Sequence, residues 1–268
     1  MAARQGAGLR PPRYLFGDSD VASHRLRVLA EVFAESSRRF LRAAAPDRPG
    51  LAVDVGCGPG YTTRLVADVL RPLRTVGIDR SEAFIAEARR TGGSNVSYLV
   101  HDAAAVPFPV GPADLIYARF VATHLSDPTA TIRGWATQLV PGGRLLLDEV
   151  DAISTANRVL SCYLTILTAL LEHQGNRLYV GPTLSNVAAP GPLRSKIDTI
   201  RRLRVPDGRA ATMFRLNLET WRDHPFVADT YGADAIHRLA DELEAEAEAA
   251  DAASTTEWGM RQIAFERV

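Results

Sequence analysis

Leu51-Ala52-Val53-Asp54-Val55-Gly56-Cys57-Gly58-Pro59-Gly60 is the stretch that decides the fold. Val53 and Val55 in an apolar run mark a buried strand. Three glycines follow within five residues. Tyr61 to Leu70 then carries Leu65, Val66, Val69 and Leu70 at helical spacing. Strand, glycine turn and helix bring bare backbone and a helix N-terminus up to a ligand. A tight turn with no ligand calls for one glycine, not three at alternate positions behind an acid.

The kind of ligand follows from the spacing. A dinucleotide loop reads G-x-G-x-x-G, and its last glycine lets helix and strand pack beside a pyrophosphate. Counted from Gly56, the sixth position here is Tyr61, a bulky ring. A phosphate loop of the Walker kind needs Lys-Ser/Thr after its glycines, and none is present. The loop therefore suits a nucleoside-like ligand without phosphates. Downstream, Arg74-Thr75-Val76-Gly77-Ile78-Asp79 is a short strand ending in an acid 23 residues after Gly56. A carboxylate at that point of a βαβ unit can accept from both ribose hydroxyls, although alone it would equally be a solvated strand-end acid. Ser81 then caps the next helix.

These residues, with three later stretches, resemble the class I S-adenosylmethionine-dependent methyltransferases. Asp54 to Gly60 is similar to that family's acidic-x-Gly-x-Gly-x-Gly motif, and Gly77-Ile78-Asp79 to the end of its second strand. Val100-His101-Asp102-Ala103, Ala113 to Ala118 and Leu139 to Leu147 resemble its third, fourth and fifth strand motifs, so the likeness covers roughly residues 50–150. The resemblance implies an α/β fold with a Rossmann-like, seven-stranded, mostly parallel sheet whose last strand is antiparallel. It implies S-adenosylmethionine as cofactor, held by Asp54, Gly56, Cys57, Gly58 and Gly60, by Asp79 and its neighbour Arg80, and by Asp102 and Ala103 at the adenine. Arg119, at the end of strand four, would border the methionine part. The segment Phe120 to Leu125 would face the methyl group, which makes His124 the candidate general base. The alternative for His124 is a cap or packing role.

The N-terminal part reads as a helix from about Val21 to Ala43, with Val21, Val28, Leu29, Val32 and Phe33 on one face. Arg25 falls on that face and must find a partner or snorkel past the helix edge. By resemblance, this helix closes the cofactor site, with Arg25 on the methionine carboxylate and Tyr14 nearby. Residues 1–49 form this segment, 50–152 the cofactor-binding core, and 153–268 a cap of helices with the last two strands.

Strand five is expected to end in Asp148-Glu149-Val150-Asp151, whose acids could orient a substrate or be solvated, with Glu149 the first to test. Arg158 to His173 is apolar almost all round and contains Tyr163, a candidate substrate contact. A lid or a subunit interface would each explain that helix. Ile197 to Val205 and Trp258 to Arg267 read as strands six and seven. Met213, Phe214, Leu216, Leu218 and Trp221 between them form an apolar helical stripe suited to a pocket wall or a core.

Composition narrows the function. Lys plus Arg and Asp plus Glu both number 31, so net charge is zero and no electrostatic footprint for nucleic acid or an anionic membrane exists. Lys196 is the sole lysine beside many arginines and alanines, a composition typical of GC-rich bacteria. Cys57 and Cys162 are too few for a disulfide framework, and no metal-ligand spacing appears, so no metal is expected. No signal-like or membrane-spanning run is visible, which points to the cytoplasm. The expected activity is methyl transfer to O, N or C of a small molecule in bacterial secondary metabolism. Two alternatives are a cofactor-binding protein that acts as scaffold or cyclisation catalyst, and a nicotinamide oxidoreductase, against which Tyr61 counts.

Overall fold

The computed structural model describes residues 19–185, 187–188, 191–249 and 254–268. Tyr14 lies outside the described residues. The chain opens with helix α1 (Asp20–Ala44), capped by the Ser19 hydroxyl, and enters strand β1 (Leu51–Val55). Alternation follows: α2 (Tyr61–Leu70), β2 (Arg74–Asp79), α3 (Glu82–Arg90), β3 (Val96–Val100) and β4 (Ala113–Arg119). A 3-10 turn (Ala122–His124) and α4 (Pro128–Ala136) lead to β5 (Leu139–Ser154). Then come α5 (Arg158–His173), α6 (Gly181–Leu184), β6 (Leu193–Pro206), α7 (Asp207–Trp221), α8 (Pro225–Tyr231), α9 (Ala233–Glu248) and β7 (Thr255–Arg267).

The seven strands form one sheet in the order β3-β2-β1-β4-β5-β7-β6. β1 to β5 pair in parallel, and β7 enters antiparallel between β5 and β6. The sheet reverses direction of growth at β1, which has β2 on one side and β4 on the other. In open α/β sheets that switch point is where ligands bind, beyond the carboxyl ends of the strands. Val53, Val55, Val76, Ile78, Ile116 and Leu145 are fully buried, as expected for strands covered on both faces.

Several boundaries differ from the sequence reading: strands six and seven begin earlier, at Leu193 and Thr255. β5 does not stop at Asp148–Asp151 but runs to Ser154, because its far half pairs with β7 as far as Ser154↔Glu257. A core boundary at residue 152 therefore falls inside a strand. α5 buries Leu160, Tyr163, Leu164, Ile166, Leu167, Leu170 and Leu171 within this chain, against α7, α8 and α9. Its apolar circumference is thus accounted for inside the cap. That core also takes in Val28 and Phe33 of α1, Val150 of β5, and Trp258 and Met260 of β7. Among the described residues no helix is long and apolar enough to cross a membrane.

Candidate active site

The glycine loop is built around backbone that a side chain would obstruct. Gly56 has φ +66°, and a Cβ there would lie 2.5 Å from Val121 Cγ2. Gly60, at φ +83°, would drive a Cβ to 2.6 Å from the Tyr98 hydroxyl. Both positions need glycine for conformation and for space. Asp54 locks the loop from the strand side. Its Oδ2 accepts from the Thr62 and Thr63 hydroxyls at 2.6 and 2.7 Å, so one carboxylate ties the strand before the loop to the helix after it. Burial raises its pKa to about 6, against the hydrogen bonds and the Arg119 charge that favour ionisation. Cys57 is buried between, and burial together with Asp54 and Asp79 holds it as a thiol.

Asp79 stands at the tip of β2, beside the loop. Its Oδ2 accepts from the Gly58 N–H at 2.9 Å and its Oδ1 from the Ser81 N–H at 2.9 Å. The loop amide that a pyrophosphate would need is therefore already paired with a carboxylate, and the carboxylate would repel phosphate. Burial raises the Asp79 pKa, opposed by those amide bonds. Arg80 beside it is exposed, and its charge acts on Asp79 and on His124. Asp102 lies exposed after β3, with Oδ1 accepting from the Ala104 N–H. The Ala103 carbonyl accepts from Trp135 Nε1 at 2.6 Å, which fixes this end of the cleft.

Past β4 the chain bends sharply at Phe120, which has φ +57°. The 3-10 turn ending in His124 follows. His124 is partly buried, and burial first, then the Arg25 and Arg80 charges, depress its pKa to about 3. It is a neutral ring throughout the physiological range. Arg25 is buried, so the snorkelling alternative does not apply. Its charge reaches both His124 and Tyr163.

The acids of β5 serve other ends than the sequence suggested. Glu149 is fully buried, and its Oε1 accepts from the Val121 and Ala122 N–H groups at 2.8 and 3.0 Å. It grips the backbone of the turn that carries His124 and does not face open space. Burial raises its pKa to about 8. Asp148 accepts from Ser37 Oγ at 2.7 Å, Tyr117 Oη at 3.2 Å and Gln262 Nε2 at 3.1 Å. Arg119 joins this network by donating from Nη1 to Ser37 Oγ at 3.1 Å; that nitrogen serves α1. Tyr163 is fully buried in the cap, stacked on Phe214.

The structure thus brings Asp54, the glycines, Asp79, Arg80, Arg119 and His124 to one end of the sheet, where the charge of Arg25 on α1 reaches His124. Sequence reasoning missed Thr62, Thr63 and Tyr98, which shape the loop. It also missed Ser36, Ser37 and Gln262. Two serines beside Phe33 and Phe40 on one helix, and a glutamine within an apolar strand, were the available signals for that network.

Residues 53–147, from β1 into β5, match the family described as a methyltransferase domain. That segment is a methyltransferase domain. Two curated methyltransferases extend the match. The trans-aconitate 2-methyltransferase of Streptomyces avermitilis is 30% identical over 129 residues, 46% of this chain and 45% of its own. The nocamycin O-methyltransferase of Saccharothrix syringae is 36% identical over 121 residues, 43% of each chain. Both matches span less than half of those methyltransferases. Among solved structures, the [4+2]-cyclase SpnF superimposes with a TM-score of 0.53 at 20% identity, over 87% of this chain and 81% of its own. That is a likeness of fold between this methyltransferase domain and a cyclase.

Proposed function

We propose that the protein transfers the methyl group of S-adenosylmethionine to O, N or C of a small-molecule acceptor, within cytoplasmic secondary metabolism. One observation carries the cofactor assignment: a carboxylate, Asp79, is hydrogen-bonded to the glycine loop at the switch point of the sheet. An uncharged ribose with two hydroxyls suits that carboxylate, and a diphosphate does not. The relatives that are methyltransferases for small molecules support the acceptor class.

In this scheme the glycine loop lies under the methionine end, Asp79 accepts from the sugar hydroxyls, and Asp102 with the Ala103 backbone borders the adenine. Arg25 meets the methionine carboxylate. The bound sulfonium supplies an activated methyl, so the protein's task is to align the acceptor with the S–CH3 bond; alignment of that kind contributes about 7–11 kcal/mol in well-oriented reactions. His124, kept neutral, lies in the turn after β4 that would face the methyl group. Its low proton affinity fits a hydrogen-bond acceptor that orients a hydroxyl better than a strong base. Glu149 fixes the turn from behind.

Calorimetry with S-adenosylmethionine and S-adenosylhomocysteine tests the assignment. The wild type is expected to bind both and to ignore nicotinamide dinucleotides. Asp79→Ala removes two charge-assisted hydrogen bonds, each worth about 1.5–3 kcal/mol, and is expected to weaken binding by about 100-fold or more. Far-UV circular dichroism confirms that the variant is folded. Undiminished affinity in a folded Asp79→Ala protein would falsify the ribose assignment, and absence of binding by the wild type would refute the function.

A further inference from the structure

The interior of the cap is not filled by aliphatic side chains alone. Six rings run through it in contact. Phe120 meets Phe33 edge-on at 5.1 Å between centroids, and Phe33 meets Trp258 at 5.1 Å. Trp258 lies 6.0 Å from Phe214, which stacks on Tyr163 at 4.2 Å and 13°. Tyr163 tilts against Trp221 at 5.7 Å. The run begins at Phe120, directly after β4, where a non-glycine residue is held at φ +57°. Such a backbone state is strained and persists where the surroundings over-determine it.

Polar atoms sit among these rings. Asn217 donates from Nδ2 to the Tyr163 hydroxyl at 2.6 Å, while its Oδ1 has no partner. Trp258 Nε1 has none either. The two residues are only 7% and 5% exposed. Each buried group left unpaired carries its desolvation cost uncompensated, which an apolar residue of similar shape would avoid. Folding accounts for the Asn217 amide nitrogen, which pairs the Tyr163 hydroxyl, but not for the amide oxygen or the Trp258 indole N–H. Ligand oxygens would pair both.

We infer that this ring-lined interior is the acceptor site, and that the acceptor is a planar ring compound bearing hydroxyl or carbonyl oxygens, read by Asn217 and Trp258. The inference rests on the methyltransferase reading above and deepens it. A hydroxyl satisfies either end of the Asn217 amide, and any oxygen accepts from the indole N–H. The rings fill the space in this structure, so the acceptor enters as α7 moves off Tyr163. Ring-on-ring contacts are then replaced by ring-on-acceptor contacts of the same kind. An aliphatic polycarboxylate such as trans-aconitate does not fit. Among the described residues, the buried cations near this end of the sheet are Arg25 and Arg119, and Arg119 serves Ser37. Three carboxylates in an aromatic interior need more compensation than Arg25 provides.

The test uses the full chain saturated with S-adenosylhomocysteine and titrated calorimetrically with 2-naphthol, naphthalene and trans-aconitate. The wild type is expected to bind 2-naphthol about tenfold more tightly than naphthalene, a difference of about 1.4 kcal/mol, and to bind no trans-aconitate at the same concentrations. Trp258→Phe keeps a ring and removes the N–H; Asn217→Leu keeps the volume and removes the amide. Each is expected to narrow the preference for 2-naphthol to about twofold or less, by removing one hydrogen bond, with affinity for S-adenosylhomocysteine unchanged. Equal binding of the two naphthalenes by the wild type overturns the inference. So does an undiminished preference in the folded Trp258→Phe variant, or tighter binding of trans-aconitate. Binding of S-adenosylhomocysteine without any ring compound sinks this inference alone. Failure to bind S-adenosylhomocysteine sinks the methyltransferase reading, and this site with it.

Discussion

At the scale of single residues, Glu149 shows how an ionisable side chain can be carried inside a sheet. Two backbone amides favour its ionised form, while burial opposes ionisation more strongly and lifts the pKa from 4.5 to about 8. Asp148 next to it raises the value further and Arg119 lowers it. The sign for stability follows. Between pH 4.5 and 8 the folded state holds a proton that the unfolded state has released, so stability falls as pH rises through that window. Glu149→Gln cannot titrate. The expected result is that chemical denaturation of the wild type loses up to about 1.4 kcal/mol more per pH unit than the variant from pH 5 to 8. Parallel stability curves for the two proteins would show that Glu149 does not titrate in this range. His124 behaves oppositely: with a pKa of about 3 it stays neutral above pH 4. Its removal is expected to leave the acidic limb of an activity–pH profile between pH 5 and 7 unmoved, which a rate profile of His124→Gln would check.

At the scale of elements, α1 is held to the sheet by polar contacts as well as apolar ones. Ser37 donates to Asp148 and accepts from Arg119, and Ser36 accepts from Gln262, all within the buried interior. Ser37→Ala leaves Asp148 and Arg119 short of a partner, for an expected loss of about 1–3 kcal/mol measured by denaturant melts. A loss below about 0.5 kcal/mol, the ordinary range for a surface substitution, would mean that the network relaxes around the gap. This network also marks the limit of what the sequence revealed. β1, the glycine loop and β2 were legible because periodicity, three glycines and a strand-end acid all lie within 30 residues. The roles of Asp148 and Glu149 were not. Their partners Ser37 and Gln262, and Val121 and Ala122, lie 111, 114, 28 and 27 residues away. Acids without visible partners in a sequence look like the end of a strand. Likewise the stop assigned to β5 ignored β7, which arrives from the far end of the chain to extend it. Arg25 was legible as an anomaly on an apolar face, while the reach of its charge to His124 and Tyr163 required the fold.

At the scale of the whole molecule, the cap and the sheet share one core. Phe33 of α1 is 1% exposed, touches Phe120 beyond β4 and Trp258 of β7, and belongs to the same buried cluster as α5, α7 and α9. Through β7 that cluster is hydrogen-bonded into the sheet, between β5 and the edge strand β6. A cap joined in this way is expected to unfold together with the core. Phe33→Ala removes a fully buried ring at the junction, for an expected loss of about 3–5 kcal/mol. Because the junction is shared, tryptophan emission from Trp221 and Trp258, read in a Trp135→Phe background that removes the sheet-side indole, and the far-UV signal from the whole chain should fall at one midpoint in both proteins. Separate midpoints in the wild type would make the cap an independent unit. Separate midpoints in the variant alone would locate the coupling at Phe33. Saturation with S-adenosylhomocysteine at 100 times its dissociation constant should add about 2.7 kcal/mol to that single transition. A ligand bound only to an independent sheet would instead raise the far-UV midpoint and leave the cap's tryptophan midpoint where it was.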